Sequence, residues 1–333
     1  MGASVSQLEA ATKNYYKLEG KKAYDLFFLH SFLFEWLFKK RKGKAYTKVP
    51  GGKRIEIPLR YDGNKAGFYT AGGILESDKR EAITDVFFDP KHAYANATLL
   101  RIHLMENSSK AQIVNLLVEE LEGAMNSLGK LLSQSQFDET GGAADRLTGW
   151  GACCNSDMDS KYGMYSANDI VSVDGTKVWT GNCNTDETIV SLAHIRKQKS
   201  AARYGQWRKK QPDMLCTTQE IYDYIKEILQ TQQLFTGNDS GEKCKPVAAG
   251  YIGVHFEGSD INPDDFMPDN NMYYLNSDHI GAAIYPEGDF KRSPWEYIQG
   301  SGRDKTCKFF FDGNQICTNR RAQNRDSNLK IAG

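Results

Sequence analysis

The chain lacks any overall charge bias: its 333 residues carry 42 Lys and Arg against 42 Asp and Glu, so net charge names no partner. It lacks a C-x-x-C pair. The seven cysteines (Cys153, Cys154, Cys183, Cys216, Cys244, Cys307 and Cys317) are odd in number and scattered. That pattern argues against a disulfide framework and a reactive dithiol, and for small buried hydrophobes. No secretory leader is visible. The most apolar run, residues 26–38, is interrupted by His30, Ser31 and Glu35 and falls short of the ~20 residues a spanning helix needs. No membrane partner is expected. Met1-Gly2-Ala3-Ser4-Val5-Ser6 matches a myristoylation pattern only formally.

Catalytic signatures are missing too. The six histidines, His30, His92, His103, His194, His255 and His279, have no metal-ligand spacing, and no G-x-S-x-G elbow occurs. Gly123 to Lys130 misses phosphate-loop spacing by one residue, and Leu131 stands where Ser or Thr is needed. Asp157-Met158-Asp159 opens like a calcium loop, but Tyr162 replaces the turn glycine and Asn168 the bidentate Glu. Cys216 and His194 read as structural, and the acids Asp260, Asp264, Asp265 and Asp269 as a solvated loop. The sequons at Asn96, Asn107 and Asn238 carry no weight without a leader. Neither catalytic residues nor a metal nor a cofactor is expected.

What the chain does have is apolar material, 40% of residues, and segregated charge. That suffices for a substantial core. Lys13 to Arg54 holds twelve basic and three acidic residues; Asp213 to Asp289 holds fourteen acidic and three basic. Arg303 to Lys330 leans basic again, seven against three. Basic stretches at Lys39, Lys40, Arg41 and Lys42, and at Arg203 to Lys210 with Tyr204 and Trp207 between, suit sequence-independent phosphate contact. Solvated faces explain them equally.

Residues 13–42 read as a helical arm, aromatic all round and closed by cations at its carboxyl end. It needs a cover. Ile55, Ile57 and Leu59 alternate with charged residues as in a half-buried strand. A Gly-rich polar stretch follows, then a second extended segment, residues 83–88. The pair predicts a long hairpin with something outside it to lean on. Ser109-Lys110-Ala111-Gln112 opens a capping box for the clearest helix, residues 109–135, a rod of roughly 40 Å. Beyond residue 148, helices are predicted at 191–206 and 217–232. Strands are predicted at 213–216, 250–256 and 271–275, the last two separated by an acidic loop. A terminal hairpin is predicted from 306–311 and 315–321, turning at Asp312-Gly313-Asn314.

This order resembles the Hong Kong 97-like major capsid proteins of tailed bacteriophages. Local stretches carry the likeness: Gly51-Gly52 with Ile57-Pro58-Leu59-Arg60-Tyr61, Gly149-Trp150-Gly151, and Pro212-Asp213. Met272-Tyr273-Tyr274-Leu275-Asn276 and Asp312-Gly313-Asn314 leading to Asn319-Arg320-Arg321 complete them. The resemblance implies an α+β fold and a non-enzymatic subunit of an icosahedral shell. It divides the chain into an N-arm (1–48), an extended E-loop (49–96) and a P-domain (97–147) with spine helix 109–135. An A-domain (148–300) and terminal P-domain strands (301–333) follow.

Further expectations come from the family. The subunit would partner itself in hexamers and pentamers enclosing double-stranded DNA, in the virion after assembly in host cytoplasm. A portal and a decoration protein are further partners. A separate scaffolding protein is expected, because only about a dozen residues precede the arm. Glu76, Asp78, Lys79, Arg80, Glu81 and Trp36 are expected at inter-subunit contacts, and Lys39, Lys40, Arg41 and Lys42 near packaged DNA. No Lys–Asn cross-link is expected, although Lys65 and Lys79 lie in the E-loop. The alternatives are an encapsulin-type compartment, a metal-dependent hydrolase using the Asp260–Asp269 acids, and a tail or portal component.

Overall fold

The computed structural model describes residues 31–39, 46–64, 66–71, 81–106, 110–140, 145–203, 211–233, 254–300 and 304–331. Its organising element is one strand of 13 residues, Lys305–Cys317. The first nine residues pair antiparallel with Lys91–Leu99, and the last five with Ile280–Ile284. Short strands at Thr47–Lys48, Lys291–Arg292 and Glu296–Tyr297 complete a six-stranded sheet.

The predicted terminal hairpin is therefore corrected: the strand runs straight through Asp312-Gly313-Asn314. Gly313 is in register with both Lys91 and Ile284. A Cβ there would stand 2.6 Å from the Ala283 carbonyl oxygen, so glycine serves a close backbone approach and makes no turn. The Asn314 side chain donates to the Asp89 carbonyl and to Thr148 Oγ1, both at 2.8 Å, and accepts the Thr148 N–H. Turn-forming residue types are here spent on tertiary bonds.

The long helix is Lys110–Ser135; Ser109 of the predicted capping box lies outside the described residues. Leu117, Leu121, Ala124, Leu128 and Leu132 are buried at helical spacing and pack on the Lys91–Leu99 strand. That strand turns its small residues Ala95 and Ala97 inward beside Phe309 and Cys307, which lets the helix approach closely. It also runs across the 96/97 boundary between the E-loop and P-domain segments.

A second, five-stranded sheet has the order Asn324–Asp326, Met272–Leu275, Met214–Thr217, Ser259–Pro263, Val254–Phe256. Alternation divides its faces. Leu215, Ile261 and Tyr274 join a smaller cluster with Ile195, Ile221 and Ile225 from two helices, Leu192–Ala201 and Gln219–Gln233. Met214, Cys216, Tyr273 and Leu275 face the main core. The first helix starts from Ser191, whose hydroxyl accepts the His194 N–H, and ends five residues short of the predicted 206; residues 204–206 lie outside the described set. The supposed acidic loop is corrected as well, since Ser259–Pro263 is a strand parallel to Met214–Thr217.

The arm is described from Ser31 on. A short helix, Phe32–Phe34, passes into a π-turn, Glu35–Lys39; residues 13–30 and 40–42 lie outside the described set. Phe34, Phe38, Phe290 and Phe311 form one aromatic cluster with centroids 4.5–6.4 Å apart. Asp264 fixes the arm's start. It accepts the Ser31 hydroxyl at 2.5 Å, the Leu33 N–H at 3.2 Å and the Phe266 N–H at 3.1 Å.

Burial pushes the Asp264 carboxyl above its ordinary value, against those three hydrogen bonds. A raised folded-state value means the folded chain holds the proton more tightly than the unfolded one. Its stabilising contribution is then complete below the unfolded value of about 3.9 and is lost as pH rises through the raised one. Measured by unfolding midpoint, the wild type should gain on Asp264→Asn as pH falls from 7 toward 4. A relative loss on acidification would contradict this reading.

One buried cation ties the second half together. Arg320 donates to the carbonyls of Cys153 (3.0 Å), Trp179 (2.9 Å) and Ala152 (3.0 Å). Its guanidinium also lies 5.4 Å from the Tyr162 ring centroid and 5.9 Å from that of Trp179.

Candidate assembly surfaces

The hairpin predicted from residues 49–95 exists as Ile55–Arg60 against Ile83–Phe88, antiparallel from Ile55↔Phe88 to Arg60↔Ile83. Pro58 is tolerated because the ribbon has two strands only, and each is an edge. Its base is fixed: Ile55, Val86 and Phe88 are buried, and the Phe88 ring packs edge-on to Tyr162 at 5.2 Å. Gly163 lies beneath that ring, where a Cβ would come within 2.7 Å. The described residues between 63 and 71 are exposed. Ile83 and Tyr69 are exposed, and Phe68 is wholly so. A loop bridged at Val171↔Lys177 props the ribbon, with the Val173 N–H donating to Asp62 Oδ2 at 3.2 Å.

A second open surface is the outer face of the six-stranded sheet. Alternation places Tyr94 and Asn96 outward on one strand and Phe310 and Lys308 on its partner. Tyr94 and Phe310 are directly opposed, as are Asn96 and Lys308. Tyr94 is 64% exposed and Phe310 38%. The short helix Arg101–Glu106 that follows exposes Ile102 and Met105. Contiguous exposed apolar side chains of this kind mark interaction surfaces more often than isolated ones do.

Of the residues expected at contacts, Trp36 lies half-buried against its own subunit's core. Glu81 is exposed, and its carbonyl accepts the Tyr61 hydroxyl at 2.9 Å. Glu76, Asp78, Lys79 and Arg80 lie outside the described residues, as do Lys40, Arg41 and Lys42. Lys39 closes the π-turn. Sequence reasoning missed the Tyr94–Phe310 pair. The signal was there, in an Ala-Tyr-Ala-Asn-Ala-Thr alternation whose small residues face a helix.

The chemical alternatives find no shared site. Among the described residues no group of three or more His, Cys, Asp or Glu could hold a metal. Asp260 is exposed beside His255 at 2.9 Å, whereas Asp264 is buried under the arm. Cys216 and His194 are not paired. Burial pushes the Cys216 thiol well up, and His194 Nε2 meets Asp326 Oδ2 at 3.1 Å. Asp157 and Asp159 are engaged by the Asp159 N–H and by Asn168 Nδ2, respectively. A cavity of about 330 Å³ lies between the long helix's carboxyl end and the sheet, lined by Lys91, Asp145, Arg146, Leu131, Leu132 and Phe311 among others. Burial pushes the Lys91 amine down. No described helix is long and apolar enough to cross a membrane.

No protein-family model matches the chain, and no curated protein does. Solved structures do. The capsid asymmetric unit of cyanophage A-1(L) superposes with a TM-score of 0.66 at 13% identity, over 91% of this chain and 94% of that one. The capsid of a native GTA particle gives 0.54 at 10% identity, over 88% and 89%. The satellite phage P4 procapsid, which includes a size determination protein, gives 0.50 at 10%, over 97% and 98%. Superposition over nearly the full length of both chains shows that this chain has the Hong Kong 97-like capsid fold.

Proposed function

We propose that the chain is the structural subunit of an icosahedral phage head, self-assembling into hexamers and pentamers around double-stranded DNA. One observation carries this reading above the others: near-complete two-way superposition on the cyanophage capsid subunit. The open surfaces support it. A hairpin fixed at its base and propped at Asp62, with Phe68 and Tyr69 in water, gains by lying on another copy, and the outer sheet face with Tyr94 and Phe310 offers apolar ground. Head-to-tail contacts of this sort close into rings when the rotation permits.

In this reading residues 1–48 form the N-arm, 49–96 the E-loop, 97–147 and 301–333 the P-domain, and 148–300 the A-domain. Lys39 to Lys42 contribute non-specific phosphate contact. Glu76 to Glu81 and Trp36 contribute contacts between copies. The size determination protein in the P4 procapsid supports an accessory scaffolding partner here; a portal and a decoration protein would join the mature head. The subunit works in host cytoplasm and resides in the virion.

The test is the double variant Phe68→Asp, Tyr69→Asp. It should fold like the wild type yet sediment as small species where the wild type sediments as shells. Shells from both proteins would remove the hairpin tip from assembly. Nuclease-treated native particles should retain double-stranded DNA; an enclosed enzyme in its place would move the reading to a protein compartment.

A further inference from the structure

The junction between the long helix and the central strand carries buried polar groups that the protein itself does not satisfy. Gln136, the first residue past the helix, is fully buried, and among the described residues neither its amide oxygen nor its amide nitrogen has a hydrogen-bond partner. Gln315 on the central strand is also fully buried. Its Nε2 donates to the carbonyls of Gln136 and Thr148, both at 2.9 Å, while its Oε1 has no protein partner. Trp150 is the third member. Its backbone N–H donates to the Gln136 carbonyl at 2.7 Å, and its indole N–H is buried without a protein acceptor.

Four unsatisfied polar atoms thus sit on three residues, two of which bond to the carbonyl of the third. An unmet buried polar group is costly, and four of them would take up much of a typical domain's marginal stability. Amide rotation cannot cure this. Turning the Gln315 amide would surrender two good bonds. Buried polar sites are ordinarily completed by interior water, which makes about three hydrogen bonds.

We infer that this junction is a built water site: at least one interior water bridges the Gln136 amide to Gln315 Oε1 and Trp150 Nε1. The helix exit, the 148–150 return and the central strand then meet through solvent as well as through direct bonds. The site is independent of the assembly proposal, since it belongs to the folded subunit.

A map of the wild-type protein that resolves ordered water decides the matter. It should show a solvent peak within about 2.7–3.2 Å of a Gln136 amide atom and of Gln315 Oε1 or Trp150 Nε1. Water-nucleus relaxation dispersion should lose at least one long-lived interior water in Gln136→Met. A map in which the two amides bond directly to each other, or turn to other protein groups with no solvent between, overturns the inference. Should Gln136→Met fail to fold, the wild-type map is sufficient.

Discussion

Replacing Arg320 with methionine is expected to destabilise the subunit by about 4 kcal/mol, enough to leave much of it insoluble. Two effects oppose each other. Removing the guanidinium relieves the cost of keeping a cation out of water, which favours the variant. It also strands the carbonyls of Ala152, Cys153 and Trp179, each now bonded to it at 2.9–3.0 Å. Arg320 is 1% exposed, so water cannot take its place. Each buried acceptor left without its donor costs about 1–3 kcal/mol; three such losses outweigh one relief. Arg320→Lys should fail nearly as badly, because one ammonium cannot reach three carbonyls in the guanidinium's fixed fork geometry while lying against both rings. Urea unfolding of soluble subunit checks this, and an unshifted midpoint for either variant would contradict it.

The second large effect falls on assembly and spares the fold. Tyr94→Lys with Phe310→Glu exchanges an exposed aromatic pair for an ion pair in direct cross-strand register. Lys291 stands opposite position 310 on the other side, so the new carboxylate is flanked by cations. Opposite charges across strands are mildly stabilising, and the subunit's unfolding free energy should stay within about 0.5 kcal/mol. If neighbouring copies lie on this face, the concentration needed to form shells should rise at least ~100-fold, equivalent to about 2.8 kcal/mol per contact. Light scattering across a dilution series reads the threshold directly. An unchanged threshold would show that the face is not used.

Strong local periodicity made some elements legible. The long helix, both hairpin strands and the buried strands at 214–217 and 272–275 stand close to where alternation and helical spacing put them. The terminal strand was not legible. Asp312-Gly313-Asn314 carries every local mark of a turn, and what overrides it is tertiary: two partner strands meeting at one glycine and an asparagine bonded to two other segments. The acidic stretch misled for a related reason. Asp260 and Asp264 stand four residues apart, yet one is in water and the other buried. Contacts from the arm explain the difference, that of Ser31 coming from 233 positions away in sequence. Assembly surfaces were the least legible, because an exposed Tyr94 looks unremarkable until Phe310 is placed opposite it.

As proposed, this subunit builds shells. Electron microscopy of the purified protein, with light scattering on the same sample and a scaffolding partner supplied, tests it most directly. Closed icosahedral particles, or rings of six and five copies, are the expected result. A strictly monomeric protein, with neither rings nor shells under any of those conditions, would contradict it.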